Sequence, residues 1–284
     1  MLFRSFITLV EIIGGILSNS LALISDAIHN LSDTLALLLA WIAHKVGKRR
    51  PDRRKTFGYQ RFEILSAFVN ASVLTAVSIY LIYESVVRFI TPEPVESGLM
   101  LIVALIGLVA NLISMIFLHR DSKHSLNVRA AYIHLLGDTL SSVAVVVGAL
   151  LIRISGLLWI DPLLTLLISL VIIRQAWQIL KESTDILMQG SPSHIDLEEI
   201  RKSLEQIPGI LNIHHVHCWQ LLDRQVHFEA HVETDCNMDL HESGQLVTTI
   251  SALLRENFRI GHTTLQIEFQ NCKDQELIHS KGIS

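Results

Sequence analysis

Six long apolar stretches, all of them before residue 182, constrain this fold more than any other feature of the sequence. Several approach or exceed 18 residues, about the length at which a helix rising about 1.5 Å per residue crosses the hydrocarbon layer of a membrane. The sequence therefore predicts an α-helical membrane bundle of six transmembrane helices over residues 1–182. The stretches cover residues 3–19, 21–44, 62–90, 98–118, 129–153 and 161–181. Asp161 and Pro162 open the last one, as expected for a capping residue followed by proline at the first helical position.

A water-soluble domain is predicted over residues 193–284, after a linker at 183–192. Apolar residues recur at helical spacing over 197–204 and again over 239–258. Residues 210–219 and 263–269 have strand composition, and residues 225–234 alternate apolar and polar side chains as a half-buried strand does. The resulting order, αββαβ, predicts a small α+β domain.

The charges divide at the same boundary. Residues 1–181 contain 16 Lys and Arg against 11 Asp and Glu, whereas residues 182–284 contain 7 against 16 and hold nine of the fourteen histidines. An acidic, histidine-rich domain argues against a nucleic-acid partner, because nucleic-acid binders are usually basic. Three scattered cysteines without CxxC spacing argue against a disulfide framework and suit a reducing compartment.

The basic residues also predict an orientation. The loop at 45–61 holds eight Lys and Arg, whereas the loop TPEPVESG between the third and fourth stretches holds none. Basic loops stay on the cytoplasmic side of a membrane. We therefore expect both termini and the C-terminal domain in the cytoplasm.

Ionisable side chains interrupt the second and fifth apolar stretches. Each contains a histidine followed four residues later by an aspartate, His29 with Asp33 and His134 with Asp138. An ionisable group costs about 2.5–3.5 kcal/mol at the centre of a membrane helix, so each is a functional residue by default. Residues four apart share one helix face, so two facing helices would bring two imidazoles and two carboxylates together.

This ligand set is typical of tetrahedral Zn²⁺. Two carboxylates cancel the formal charge of the ion, which limits the cost of holding it away from water. The imidazoles favour Zn²⁺, Cd²⁺ or Co²⁺ over the hard ions Mg²⁺ and Ca²⁺, without ranking the first three. We predict a metal site formed by His29, Asp33, His134 and Asp138.

Other interpretations of these residues stay open. One such pair alone could be a buried hydrogen-bonded pair, and it is the repetition in two stretches that favours ligands. Asp26 lies one turn before His29 and could be a partner of a ligand, a proton carrier or a helix-end group. It stays outside the predicted ligand set.

The ligands also suggest an energy source. Histidine and aspartate bind metal in their deprotonated forms, so metal binding releases protons. A site that opens alternately to each side of the membrane would exchange protons from one side for metal from the other.

Several segments carry a family resemblance: SLALISDAIHNLSD, TFGYQRFEILSAFVN, NVRAAYIHLLGDTLSS, and in the C-terminal domain IHHVHCW and TLQIE. They resemble the cation diffusion facilitator family over nearly the whole chain, and the His/Asp form of the two membrane motifs is similar to its zinc-transporting branch. The resemblance implies a homodimer of six-helix protomers, Zn²⁺/H⁺ antiport, and a cytoplasmic domain of ferredoxin-like fold.

The chain also departs from the family pattern. Some members have a metal site of one Asp and two His in the loop after the second helix, but here Asp52 is accompanied by Lys55 and Tyr59, so no site is predicted there.

In the C-terminal domain the resemblance implies a metal site. His214 and His231 fall where some relatives place ligands on adjacent strands, with His241 and Glu268 as further candidates. Strand alternation predicts His215 and His217 on one face and His214 on the other.

The leading function is a secondary transporter that exports Zn²⁺ from the cytoplasm, without a bound cofactor and without catalytic residues. Its expected partners are divalent metal ions, protons, membrane lipid and a second copy of the chain. A metalloenzyme is the first alternative, but HExxH is absent and all four ligand positions are filled. A non-transporting metal sensor is the second, and transport across a sealed bilayer would distinguish it. The short loops favour a bacterial inner membrane.

Overall fold

A computed structural model of the chain describes residues 2–119, 126–222, 225–270 and 276–278. The chain divides into two compact units, one of residues 1–44 and 66–181 and the other of residues 45–65 and 182–284. The segment of residues 45–65 belongs to the second of these units. Its eight basic residues explain why it does not join an apolar bundle.

The apolar stretches form long helices whose bounds follow the predicted ones closely. The sixth continues beyond its predicted end into the expected linker at 183–192, because the sequence KESTDIL has no proline or glycine to stop it. In chain order the helices are α1 Leu2–Ser18, α2 Leu21–Gly47, α3 Phe62–Ile90, α4 Ser97–His119, α5 Leu126–Ser155 and α6 Ile160–Leu187.

Within the described part of the chain, four of these helices (α3, α4, α5 and α6) are long and apolar enough to cross a membrane. The first, α1, is shorter, and α2 contains the polar residues Asp26, His29, Asn30 and Asp33. A helical transmembrane region is therefore confirmed, while the number six stays a prediction.

The first unit has an apolar core shared by α2, α4, α5 and α6, with α1 packed on α4. Small residues allow close approach: a Cβ placed on Gly14 of α1 would lie 2.5 Å from Val103 of α4. The core residues are Ala22, Leu23, Met100, Val103, Ala104, Val145, Ala149, Ile152 and Ile160.

Asp161 has a different role from the predicted one. Its carboxylate accepts hydrogen bonds from the backbone N–H groups of Leu21 (2.9 Å) and Ala22 (3.3 Å) and from the Ser20 hydroxyl (2.6 Å). It therefore satisfies two of the free N–H groups at the start of α2, a different helix from its own. This buried contact fixes the start of the helix that carries His29 and Asp33.

The second unit contains a helix, two strands, a helix and a third strand, in the predicted order. The elements are α7 Leu197–Leu204, β1 Ile210–Leu222, β2 Gln225–Thr234, α8 Leu240–Phe258 and β3 His262–Glu268. The strands form one sheet in the order β1-β2-β3, with β1 antiparallel and β3 parallel to β2. A parallel neighbour requires a crossover, which α8 supplies.

The core of this unit lies between the two helices and one face of the sheet. Ile200 and Leu204 of α7 and Leu246, Ile250 and Leu254 of α8 are buried in it. Both helices begin with a capping aspartate, and Asp239 forms a reciprocal capping box with Glu242. The strands of the sheet carry histidines that are candidate metal ligands, among them His214 on β1 and His231 on β2.

Candidate metal sites

The four predicted membrane ligands converge within the first unit. His29 and Asp33 lie one turn apart on α2, and His134 and Asp138 lie one turn apart on α5. One ligand atom from each residue can be chosen so that all four lie within 4.8 Å of one another. The spacing in the sequence therefore corresponds to one cluster of two imidazoles and two carboxylates.

The separations suit a tetrahedral ion. Nε2 of His134 lies 2.9 Å from Oδ2 of Asp33, and Nε2 of His29 lies 3.4 Å from Oδ1 of Asp138. The two pairs within one helix are 3.7 Å and 3.8 Å apart. Ligands about 2.0–2.1 Å from a tetrahedral Zn²⁺ are separated by about 3.3 Å, which lies inside the observed range.

The cluster is buried on one side and open on the other. The Asp138 side chain is 3% exposed and that of His29 is 12% exposed, whereas that of His134 is 43% exposed. A cavity beside the cluster has mainly apolar walls from α5 and α6, formed among others by Ile133, Gly137, Leu140, Leu167 and Val171. An ion could therefore reach the ligands from one side of the bundle.

Asp26 is not one of the clustered ligands. Its carboxylate accepts hydrogen bonds from the hydroxyl groups of Ser141 (2.6 Å) and Ser142 (3.2 Å) on α5. The amide of Asn111 on α4 donates in turn to the Ser142 hydroxyl at 3.0 Å. Asp26 thus links the two ligand-bearing helices one turn away from the ligands.

A second group of possible ligands lies on the sheet of the C-terminal domain. His214 of β1 and His231 of β2 are direct cross-strand partners, and Glu268 ends β3. Glu268 Oε2 lies 3.5 Å from Nε2 of His214, and its Oε1 lies 3.0 Å from Nδ1 of His231. The three residues could hold a metal through two nitrogens and a carboxylate oxygen.

His241 lies outside this group. It is the second residue of α8, and its Nε2 is 3.0 Å from the amide nitrogen of Gln245. Of the four residues considered for the C-terminal domain, the structure thus brings together His214, His231 and Glu268 and leaves His241 apart.

A β-bulge interrupts the predicted alternation of His214 and His215, while the rings of His215 and His217 remain in contact, with centroids 5.1 Å apart. The register of β1 shifts between His214 and His217, and His215 has a left-handed backbone, with φ of 51°. As a result the His215 ring stacks on the His231 ring, with centroids 4.7 Å apart and planes 14° apart. His215 therefore lies beside the group of His214, His231 and Glu268, although strand alternation predicted it on the other face of β1 from His214.

The carboxylate of Asp52 is engaged by hydrogen bonds within the 45–61 loop. Its carboxylate accepts hydrogen bonds from the backbone N–H groups of Arg54 and Lys55 and from the Tyr59 hydroxyl. These bonds, the one from the Lys55 N–H first, lower the pKa of Asp52. The carboxylate closes a turn of the loop.

Glu11 is a residue that the sequence reasoning missed. It lies within the first apolar stretch and is 1% exposed, between α2 and α4. The available signal in the sequence was that Glu11 is a single acidic residue within an apolar stretch, which indicates a functional group.

Two family models match the chain. The model for the cation efflux transmembrane domain covers residues 1–188, and the model for the cytoplasmic domain of the cation efflux protein covers residues 192–270. The chain is 41% identical to the zinc transporter ZitB of Shigella flexneri over 278 residues, 97% of this chain and 88% of the relative. It is 39% identical to the metal cation efflux system protein CzcD of Cupriavidus metallidurans over 268 residues, 94% and 84% of the two chains. It is also 39% identical to the cadmium, cobalt and zinc/H(+)-K(+) antiporter of Bacillus subtilis over 262 residues, 92% and 84% of the two chains.

Proposed function

The chain belongs to the cation efflux family, and from that premise we propose that it exports Zn²⁺ from the cytoplasm in exchange for protons. Cd²⁺ and Co²⁺ are further substrates in this proposal, because imidazole and carboxylate ligands accept all three ions. The ion binds in the membrane between His29, Asp33, His134 and Asp138, and the site opens alternately to the two sides.

The observation that carries the proposal is the convergence of four ligands from two helices. A buried aspartate or histidine is costly in a membrane, and four together are most easily explained by an ion that compensates them. The two carboxylates neutralise a divalent ion, and the separations of 2.9–3.8 Å suit tetrahedral coordination.

The names of the relatives support both halves of the exchange. One relative is named as a zinc transporter and another as a metal cation efflux system protein. The protein of Bacillus subtilis is named as an antiporter of cadmium, cobalt and zinc against protons and potassium. In this chain the imidazoles and carboxylates must lose protons to hold the ion, so an ion that enters the site displaces protons.

The proposal includes an arrangement in the membrane. Six helices, α1 to α6, cross the bacterial inner membrane, and both termini and a ferredoxin-like C-terminal domain lie in the cytoplasm. A homodimer is the working unit. The match of residues 192–270 to a cytoplasmic-domain model supports this side for the C-terminal domain.

We also propose a cytoplasmic metal site formed by His214, His231 and Glu268. His214 is 2% exposed and Glu268 is 8% exposed, so two of the three ligands are pre-positioned inside the domain. A site that fills when cytoplasmic metal rises could report the supply of substrate, which is a regulatory role and not a step of transport.

The alternatives make different predictions. A metalloenzyme would need an open ligand position for substrate, and the membrane cluster already offers four ligands. A sensor would bind Zn²⁺ without moving it. Measurement of zinc flux across a sealed bilayer distinguishes both alternatives from a transporter, because neither an enzyme nor a sensor moves the ion across.

The test is zinc entry into liposomes that contain the purified protein, a zinc-sensitive dye and an imposed pH gradient. We expect entry that depends on the gradient and is abolished in Asp138→Ala. Glu256→Gln, an exposed change on α8, is the control and should transport like the wild type. Zinc binding without flux would favour the sensor, and flux that survives in Asp138→Ala would mean that the ion takes another route.

A further inference from the structure

Glu11 is a buried carboxylic acid that the metal ligands do not explain. It is 1% exposed, and its Oε2 accepts a hydrogen bond from the amide of Asn30 on α2 at 3.1 Å. Gly107 of α4 lies against it so closely that a Cβ there would overlap Oε1. The fold thus makes space for an acidic group in an apolar helix, and such a group is by default functional.

A small cavity continues from Asn30 on the side of α4. It has room for about one water molecule, and its polar lining is formed by Thr8, Asn30, Thr34, Asn111 and Ser114. A buried water needs two to four polar partners, and this lining offers more. The side chains of Asn30, which donates to Glu11, and of Asn111 on α4 both line this cavity.

The polar contacts continue from this cavity to the metal site. Asn111 donates to Ser142 (3.0 Å), and Ser142 donates to Asp26 (3.2 Å). Asp26 also accepts from Ser141, which lines the cavity of the metal site together with His29 and Asp138. An almost continuous series of polar groups therefore leads from the metal site to Glu11.

Building on the function proposed above, we propose that Glu11 binds one of the protons that are exchanged for the metal ion, and that these polar groups connect it to the metal site. On release, the O–H bond of the Glu11 carboxylic acid breaks and the electron pair stays on the carboxylate. A water molecule accepts the proton as hydronium and gives it up to bulk water on the side where the metal ion is taken up. On reloading, the same bond forms again. The proton is thereby held on α1, whereas the four ligands of the ion lie on α2 and α5.

Electrostatics couple the two events. A divalent ion at the metal site and a proton on Glu11 repel each other, so the arrival of one favours the departure of the other. Asp26 of α2 is an acidic group close enough to interact electrostatically with Glu11. On the side of α4, Glu11 faces Gly107. The sequence of α4 contains no Asp, Glu, Lys or Arg. Within α1, the other charged residue is Arg4.

The competing explanation is that Glu11 only ties α1 to α2 through Asn30. Glu11→Gln separates the two roles, because glutamine has the same shape and can still accept the hydrogen bond from Asn30 but cannot carry the proton. A purely structural role would leave the coupling to protons unchanged in this variant. Asn111→Leu provides a second variant, since it keeps the volume of the side chain and interrupts the series at a distance from Glu11.

The experiment measures zinc and proton movements together, in liposomes with a zinc dye and a pH dye. In Glu11→Gln and in Asn111→Leu we expect the ratio of protons to zinc ions to fall by about one proton per ion. Two controls should keep the wild-type ratio: Glu84→Gln, which alters a carboxylate paired with Arg88, and Asn70→Leu, which removes another interhelical amide bond.

An unchanged ratio in Glu11→Gln would overturn the role of Glu11 while leaving zinc export intact. If that variant does not fold, which gel filtration would reveal, an unchanged ratio in Asn111→Leu overturns the proposal in its place. If the wild type moves no zinc, the proposed function fails, and the role of Glu11 fails with it. A fall in the two variants and in neither control would establish the proton site.

Discussion

Nε2 of His134 on α5 lies 2.9 Å from Oδ2 of Asp33 on α2, closer than either residue lies to the partner on its own helix. The shortest contacts among the four candidate ligands therefore run between the helices. A small displacement of α2 relative to α5 would change the ligand separations more than any change within one helix. This dependence gives a physical reason why a movement of the two helices would bind or release an ion.

Asp33→Asn should weaken zinc binding at the membrane site by more than about tenfold. Even the loss of a residue that only hydrogen-bonds to a metal ligand lowers metal affinity by about tenfold or more. Asp33 approaches both histidines, so its loss removes one ligand and part of the charge that compensates the ion. Titration calorimetry of the purified protein with a competing chelator measures the affinity. Asp185→Asn, an exposed change, serves as the control, and an equal loss in both would point to a general effect of charge.

Glu268→Gln should remove the cytoplasmic metal site. In a chain that already carries Asp138→Asn, we expect about one zinc ion fewer per chain, since the amide replaces the anionic ligand between His214 and His231. Equilibrium dialysis with elemental analysis gives the number. His241→Ala is the matched control, because His241 lies outside the group. A loss of metal in the control instead would show that the ligands are wrongly assigned.

Gly14→Ala should destabilise the packing of α1 on α4 by about 1–3 kcal/mol. The new Cβ would lie 2.5–3.0 Å from three atoms of Val103, whose β-branched side chain is buried and stiff. Gly98→Ala on α4 meets nothing within 4 Å and should have little effect. Thermal unfolding in detergent compares the two, and equal midpoints would contradict the close contact between these helices.

Stability should fall in mild acid because of His227. Burial in the sheet lowers the pKa of His227 below its ordinary value of about 6.5, and the charges of His262 and Arg61 add to this effect. Below that pH the unfolded chain binds a proton that the folded protein resists, so the contribution of His227 to stability is present above about pH 6.5 and is lost as the pH falls further.

The measurement is the thermal midpoint in detergent at pH 7.5 and at pH 5.5. His227→Gln should lose less stability between these two values than the wild type, whereas His194→Gln, an exposed histidine, should behave like the wild type. The same loss in wild type and His227→Gln would show that other groups control the acid response.

The sequence predicted most of the elements and the convergence of the four candidate ligands because both depend on short-range spacing. Apolar periodicity marks helices and strands, and the four-residue spacing of His29 with Asp33 and of His134 with Asp138 fixes one helix face each. That the two faces meet follows from charge: four costly groups in apolar helices need compensation, and one ion supplies it to all.

The remaining features depend on contacts between residues distant in the sequence. Asp161 caps α2, which is 140 residues away from it in the chain, and no local pattern indicates such a partner. The bulge at His215 brings its ring against His231, a contact that regular strand alternation does not predict. The surroundings of Glu11 could not be predicted, because Asn30 and Gly107 come next to it only when α1, α2 and α4 pack together.

The most direct test of zinc export by alternating access is counterflow in liposomes preloaded with unlabelled Zn²⁺, to which a trace of radioactive zinc is added outside. A carrier that exposes one site to each side in turn should accumulate the label transiently above its equilibrium level, and Asp33→Asn should not. Simple equilibration of the label would indicate a channel. No entry of label into vesicles whose protein still binds Zn²⁺ would contradict transport altogether.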